Sequence, residues 1–476
     1  MQFSLHDLLP AIKGASLQGN ATKVTNVIIT GLTTDSRKIR AGDVFVALRG
    51  ENFDAHDFLP QVAAAGAAAV IAEALPAGFG LPALVVPDTK LALAEVARFW
   101  RQQFTLPVIG VTGSNGKTTV KEMIASILAA AFGPDGRLAT SGNLNNEIGV
   151  PLTVMQLHAS HQAAVIEMGM NHPGEIALLA FAAMPTVALV NNAQREHQEF
   201  MQTVEAVARE NGVAIQSLPD TGVAVFPAGD EYSTLWQSFA SERGQRKTLR
   251  FGLTTDADVQ ATYTPSVFGS DLQMLVAGQA LSVRLNAAGK HNVLNALAAA
   301  ACCHAIGVSN AAIVAGLENF APVNGRLQRK QAVCGATVID DSYNANPDSV
   351  RAAIDVLAQI TGPTILVLGD MGEVGENGAQ FHQEIGDYAR QRGIPRLLLL
   401  GELVAHTASA YGDDAQHFAS MEGLCKALDE QLAADATVLV KGSRFMKMER
   451  AVAHLLTANE NKYETNTLQQ KTKGDH

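Results

Sequence analysis

The run Gly113-Ser114-Asn115-Gly116-Lys117-Thr118-Thr119 directly follows an apolar stretch, Pro107-Val108-Ile109-Gly110-Val111-Thr112. These residue types in this order can hold a chain of phosphates. Two glycines let backbone N–H groups converge on phosphate oxygens, and a helix start adds positive partial charge. Lys117 supplies a point charge for the β and γ phosphates, and the Thr118 hydroxyl can ligate Mg²⁺. Val111 stands where the common phosphate-loop pattern has glycine. The plainer alternative is a strand-to-helix turn with a solvated lysine. The strand, glycine turn and helix in sequence favour an ATP site.

A Mg²⁺–ATP site needs a carboxylate at the tip of a neighbouring strand. Ala164-Val165-Ile166-Glu167 offers one, and Glu167 is the expected metal ligand. His197, in Asn191-Asn192-Ala193-Gln194-Arg195-Glu196-His197, also follows a strand. Mg²⁺ prefers oxygen, so on chemistry alone His197 reads as a surface or hydrogen-bonding residue.

The elements that position these residues follow from apolar patterning. Residues 1–105 read as a small mixed α/β domain, with strands at Val44–Leu48 and Ala67–Ala72. Helical patterns cover His56–Ala65 and the stretch from Thr89, capped by Pro87-Asp88, to about Gln103. Residues 106–322 alternate strand, loop and helix, the mark of a parallel sheet covered on both faces. Its strands are Pro107–Thr112, Ala163–Glu167, Val187–Asn191 and Val223–Phe226, with helices at Val120–Ala131 and Val293–Ile306. An antiparallel extension is expected between Arg250 and Leu285. Residues 323–457 restart the rhythm, with strands at Thr337–Asp340, Thr364–Leu368, Arg396–Leu400 and Thr437–Val440, and read as a Rossmann-like doubly wound domain. Residues 458–476 are polar and are expected to be a disordered tail. The fold class is α/β in three domains.

Bulk properties narrow the function. The chain of 476 residues is 47% hydrophobic and 17% charged, which is globular composition. A net charge of −11 argues against duplex nucleic acid or an anionic membrane as the main partner. The four cysteines, at 302, 303, 334 and 425, form no metal-binding spacing and suit a reducing cytosol. No membrane span or export leader is evident, so a cytoplasmic location is expected.

The motifs also occur as a set. Thr112–Thr119, Gly289-Lys290-His291-Asn292-Val293-Leu294-Asn295-Ala296 and Asn324-Gly325-Arg326 together resemble the Mur ligases, which form the amide bonds of the peptidoglycan stem peptide. The resemblance covers about residues 28 to 455. Three further segments resemble the branch that joins D-alanyl-D-alanine to UDP-N-acetylmuramoyl-tripeptide. They are Asn143–Pro151, Asp340-Asp341-Ser342-Tyr343-Asn344-Ala345-Asn346-Pro347, and Leu368-Gly369-Asp370-Met371-Gly372-Glu373.

The resemblance implies roles for matched positions. Lys117 and Thr118 would serve phosphates and Mg²⁺, with Glu167 and His197 as further metal-site residues. Asn295 would read the adenine edge beside His291 and Asn292, Arg326 would reach the γ-phosphate, and Asp341 would hold the ribose. Lys117, Glu167, His197 and Arg326 form the implied catalytic set. Ser36, Arg37, Asn52 and His56 resemble the UDP-sugar-peptide site. Asn145, Asn146, Tyr343, Asn346, Asp370 and Ser443 would contact substrates, Ser443 near the incoming dipeptide. Taken singly, the His-Asn-x-x-Asn run could cap its helix and Asp341 could end a strand. Many family members carry a carbamylated lysine downstream of the His197 position. Asn211 falls there in this chain, so no carbamate forms, and Glu210 or solvent is the candidate substitute.

The activity so implied is an ADP-forming ligase using ATP and Mg²⁺ through an acyl phosphate, acting as a monomer. Sister ligases add diaminopimelate or lysine earlier in the pathway; a diaminopimelate-adding one would be expected to show Asp-Asn-Pro-Arg in its last domain, and no such run is present. A folate–glutamate ligase would not be expected to carry the Asp340–Pro347 segment. A nucleotide switch would leave the third domain and the Gly325-Arg326 junction without a purpose. Whether the acceptor's third residue is diaminopimelate or lysine stays open.

Overall fold

A computed structural model describes residues 2–19, 27–50, 53–244 and 246–457. Asn52 and the tail from 458, both assigned from sequence, lie outside the described residues. Among the described residues the strands form a two-stranded ribbon and three larger sheets, of five, nine and six strands.

The five-stranded sheet runs in the order Ser16–Gln18, Ala83–Val85, Ala69–Ala72, Asp43–Val46, Gly31–Thr33. All its pairings are parallel except that of Ser16–Gln18. Helix Thr89–Arg101 starts where the Asp88 carboxylate accepts from the Leu91 N–H, satisfying one orphan donor of the first turn. Its apolar face does not stop at its own sheet. It packs on the helices Glu175–Ala183 and Gly149–Val154, so one core runs from Phe3, Leu5 and Leu93 to Val108, Ile176 and Trp236. The Trp100 indole N–H donates to the Leu157 carbonyl at 3.0 Å, and Arg98 donates to the Phe181 carbonyl at 3.0 Å.

The nine-stranded sheet centres on Val108–Thr112, flanked by Ala163–Glu167 and Val187–Val190 in parallel. Every residue of these three strands is buried, as expected when helices cover both faces. Helices Lys117–Phe132, Lys290–Ala305 and Asn310–Glu318 cover one face. The expected antiparallel extension begins later than the sequence suggested. Lys247–Gly252 still pairs in parallel with Val223–Pro227, and the antiparallel meander starts at Val259. Helix Ser233–Ser241 explains this, because it supplies the crossover that a parallel pair needs.

The third sheet runs Gln328–Gln331, Thr337–Asp341, Thr437–Lys441, Thr364–Gly369, Leu397–Leu400, Ala415–Phe418, parallel apart from its first edge. It has two cores of its own, one around Ile339, Leu366 and Ile385 and the other around Val338, Val438 and Leu455.

Candidate active site

The carboxyl ends of the central strands lie along one sheet edge, the usual ligand side of parallel α/β sheets. Val190 sits in register with Thr112, and Glu167 with Val111. Parallel strands in this register bring three things to one edge: the phosphate loop, Glu167 and the Asn191–His197 segment. Gly113 (φ 129°) and Gly116 (φ 81°) adopt backbone conformations that side chains disfavour. A Cβ on Gly113 would stand 2.9 Å from the Asn191 nitrogen, and one on Gly116 would stand 2.6 Å from Asn295 Oδ1. The helix begins at Lys117, not at Val120 as its apolar run suggested, since left-handed Gly116 turns the chain directly into it. Lys117 and Thr118 thus occupy the first turn.

Side chains lock the loop. The Asn115 N–H donates to Asn192 Oδ1 at 2.8 Å, and the amides of Asn191 and Asn192 both donate to the Asn115 carbonyl. Asn211 Oδ1 accepts from the Gly113 N–H at 3.0 Å and from the Thr112 hydroxyl. The residue at the expected lysine position therefore braces the loop backbone. Glu210 does not reach the cavity either. Its carboxylate accepts from the Ile176 N–H at 2.9 Å in the first turn of another helix, which corrects its candidacy as a substitute.

The loop opens into a cavity of about 1260 Å³ between the central and C-terminal sheets. Ser114, Asn115, Gly116, Lys117, Thr118, Thr119, Asn145, Asn146, Glu167 and His197 line it from the central side, with His291, Asn292 and Asn295. Arg326, Asp341, Tyr343, Asn346 and Ser443 line it from the C-terminal side. Gly113 is not among the residues that line it. Ser36, Arg37, His56 and Asp370 are not brought to this cavity. The Arg37 guanidinium is exposed and pairs with Asp35 at 2.8 Å. His56 is engaged at both ring nitrogens, by Asp54 and by the Glu73 N–H. Asp370 accepts from the Glu402 and Val404 N–H groups, each at 2.8 Å, and braces that turn instead of facing a substrate.

Lys117 Nζ donates to the Gly113 and Ser114 carbonyls and to Glu196 Oε2 at 3.1 Å. The Thr118 hydroxyl donates to Glu167 Oε1 at 3.0 Å, and Asn145 donates to the same oxygen at 2.8 Å. Glu167 Oε2 is buried with no partner. A buried carboxylate oxygen left free beside a hydroxyl suits a hard divalent cation, so these residues fit Mg²⁺. The ring of His197 contacts Glu373 of the C-terminal side at 2.6 Å, from a left-handed backbone (φ 47°).

Opposite the loop, Arg326 lies over the Tyr343 ring at 4.4 Å. Asp341 and Lys441 sit in register on adjacent parallel strands, and their charges meet at 2.7 Å. Asp341 Oδ1 also accepts from the Leu327 N–H. Burial pushes the Asp341 carboxyl up, and Lys441 works against that push. Asn295, assigned to adenine, instead accepts from Asn191 at 2.9 Å and donates to Asn292 at 3.1 Å, tying its helix to the loop. Sequence reasoning passed over Glu196, Lys441, Arg195 and the Asn191-Asn192 pair. The position of that pair after a strand parallel to the loop strand was the available signal.

Burial, with Lys441 nearby, pulls the His291 imidazole down to about 4. Its folded value lies below its ordinary value near 6.5, so between these limits the unfolded chain binds the extra proton. The associated stability is present above about pH 6.5 and is lost as pH falls toward 4, by on the order of 3 kcal/mol. Urea titrations should show a shallower loss across this window in His291→Gln than in the parent. Parallel pH profiles would remove His291 as the cause.

Three segments of the chain match family models, described as the Mur ligase family catalytic domain (residues 28–101), the Mur ligase middle domain (111–303) and the Mur ligase glutamate ligase domain (325–444). The UDP-N-acetylmuramoyl-tripeptide–D-alanyl-D-alanine ligase of Escherichia coli K12 is 40% identical over 451 residues, 94% of this chain and 97% of that protein. The chain belongs to the Mur ligase family. A ligase of the same name from Bacillus subtilis is 34% identical, over 90% of this chain and 93% of its own length. Among solved structures, MurF of Acinetobacter baumannii superposes with a TM-score of 0.88 at 34% identity, covering 96% of this chain and 99% of that one. MurF of Thermotoga maritima in complex with ADP gives 0.80 at 26% identity, covering 91% and 98%. The three-domain α/β architecture and the ligase class follow from this membership.

Arg195 joins the two sides of the cavity. It meets Asp348 at 2.8 Å and Glu384 at 2.7 Å, and stacks over Phe381. Asn346 donates to Asn115 Oδ1 at 2.9 Å across the same gap. Arg195→Ala should therefore favour separated domains, with a coupling of about 1–3 kcal/mol. Small-angle scattering should show a larger radius, with kcat/KM down roughly tenfold. An unchanged radius with unchanged kinetics would show that these contacts do not hold the domains together.

Proposed function

We propose that this chain is a cytoplasmic, ATP- and Mg²⁺-dependent ligase that joins D-alanyl-D-alanine to UDP-N-acetylmuramoyl-tripeptide in peptidoglycan precursor synthesis. The observation that carries this reading is one cavity holding a phosphate loop from the central sheet and the Arg326, Asp341 and Lys441 charges from the C-terminal sheet. Similarity to ligases of that name along nearly the whole chain supports the choice of substrates. No helix among the described residues is long and apolar enough to cross a membrane, which suits a precursor step away from the bilayer. The chain is proposed to act as a monomer.

The chemistry brings anions together. A tripeptide carboxylate oxygen attacks the γ-phosphorus of ATP, ADP leaves, and an acyl phosphate forms. The neutral amine of the dipeptide then attacks the acyl carbon, phosphate departs, and an amide remains. In the first step Lys117 places positive charge at the β and γ phosphates, and the loop N–H groups donate to the remaining oxygens. Arg326, supported by Tyr343, offsets charge from the opposite wall. Thr118 and Glu167, with His197 nearby, would hold Mg²⁺, which when bound neutralises phosphate charge. Domain closure aligns the reactants and excludes water from the acyl phosphate. The 1–105 domain would bind the UDP moiety, and 323–457 the dipeptide.

The test is mass analysis of reactions containing ATP, D-alanyl-D-alanine and a UDP-tripeptide ending in either diaminopimelate or lysine. A pentapeptide product with ADP is expected from one acceptor, which also identifies the third residue. Absence of product from both acceptors would overturn the assignment.

A further inference from the structure

Of the large hydrophobic side chains that are exposed among the described residues, only Phe445 lines the active-site cavity, and it is 61% exposed. A single exposed phenyl ring is common on protein surfaces and by itself needs no ligand. This ring is held in place. Strand Thr437–Lys441 ends at the cavity, and the 3₁₀ turn Arg444–Met446 lays the ring on Gly372. A Cβ on Gly372 would stand 2.7 Å from Phe445 Cε1 and 3.2 Å from Cδ1. Gly372 does not have a positive φ, so its backbone would accept a side chain; the ring fills that place instead.

Hydrogen bonds fix both partners of this contact. The Gly372 N–H donates to Ser443 Oγ at 2.7 Å, and the same hydroxyl donates to the Ala345 carbonyl at 3.0 Å. The Ser443 N–H donates to the Asp370 carbonyl at 3.0 Å. Phe445 therefore stands on a braced backbone and cannot retreat toward Gly372. The result is a rigid apolar ledge at the open side of a cavity whose inner end is charged by Lys117, Glu167 and the Asp341–Lys441 pair.

We propose that Phe445, backed by Gly372, is the wall against which the second side chain of the incoming dipeptide packs, and that it restricts that side chain to about the size of a methyl group. This rests on the dipeptide-ligase reading above. The dipeptide amine must reach the acyl phosphate at the charged inner end, so its second residue extends toward the exposed ring. Arg444 lines the same wall, and its exposed guanidinium pairs at 3.1 Å with the exposed Glu449. Such a surface pair is weak, so the carboxylate of the dipeptide can take the guanidinium and leave its last methyl against the ring. A longer side chain in that position would run into a ring with no room behind it.

The test compares D-alanyl-D-alanine, D-alanyl-D-leucine and D-leucyl-D-alanine as amines for the full chain, with ATP and a UDP-tripeptide. The parent should discriminate against D-alanyl-D-leucine. In Phe445→Ala, kcat/KM for D-alanyl-D-leucine relative to D-alanyl-D-alanine should rise roughly tenfold or more, the scale on which an apolar wall sorts side chains. The ratio for D-leucyl-D-alanine should not move. The loss with D-alanyl-D-alanine itself should fall on KM more than on kcat, as removal of uniform binding does. Phe445→Tyr, which keeps the ring, should keep the parent's discrimination. A parent that does not discriminate, an unchanged ratio in Phe445→Ala, or equal relaxation toward both leucyl dipeptides would overturn the proposal. A parent that makes pentapeptide while failing on any of these leaves the ligase reading intact, whereas a parent that makes none overturns both.

Discussion

Methionine in place of Lys117 is expected to lower turnover by about 10³-fold, the loss that follows removal of one group aimed at charge growing in a transition state. Methionine keeps the length and the helical preference of the first turn, so the Lys117–Phe132 helix should survive. What disappears is the ammonium that now donates to the Gly113 and Ser114 carbonyls and to Glu196. The phosphates would then face an uncompensated Glu196, which adds repulsion to the lost attraction. Arginine should not restore the rate, because its planar fork is broader than the ammonium that these closely spaced acceptors surround. Single-turnover formation of ADP reads the effect directly. A rate within tenfold of the parent, in a protein with unchanged circular dichroism, would mean that Lys117 does not serve the transferred phosphate.

The second large effect is on stability. Lys441→Met is expected to destabilise the C-terminal domain by about 3–5 kcal/mol, since it strands a buried carboxylate. Asp341 and Lys441 are both largely buried, at 2.7 Å from each other. Lys441 also donates to the Asn344 carbonyl at 2.8 Å, on the segment that carries Tyr343 and Asn346. Burial already pushes the Asp341 carboxyl upward, and without Lys441 only the Leu327 N–H and the Arg326 charge oppose it. Asp341 would take a proton at higher pH, so the variant's deficit should shrink as pH falls. The double change Asp341→Asn with Lys441→Met should recover much of the loss, because removing both charges removes the stranded one. Urea unfolding reads this, and a midpoint unmoved by the single change would show that the pair carries little.

The phosphate loop was legible because its chemistry is local. Glycines, lysine and threonine follow one strand, and no distant residue is needed to see what they can hold. The strand tip Glu167 was legible for the same reason, whereas Asp341 was assigned only through the family resemblance and its strand was read one residue short. The pairing of Asp341 with Lys441 was not legible, since it depends on the register of strands a hundred positions apart in sequence. Asp370 shows the limit of reading a carboxylate at a strand tip. Such a residue can face a ligand or gather backbone N–H groups, and only the path of residues 401–404 decides for the second. Glu196 was hidden in a polar run between Arg195 and His197, where a carboxylate looks solvated. It is buried and pairs with the loop lysine, a contact with no signature in the sequence. The late start of the antiparallel meander was missed because the crossover helix Ser233–Ser241 carries only a modest apolar stripe.

The continuous core that joins Phe3 and Leu93 to Val108 and Trp236 has a mechanical consequence. The first two sheets share much of their interior, whereas the third has two cores of its own, one of them touched by the half-buried Phe268 of the central meander. The C-terminal domain is therefore expected to rotate as a body against the other two, about the short run Ala321-Pro322-Val323-Asn324 and the left-handed Gly325 next to it. Arg326 is the first charged residue beyond that hinge, so a small rotation there swings it directly against the loop. A fragment cut at residue 322 should expose little new core on either side, while one cut at 105 would tear an interior in half and aggregate.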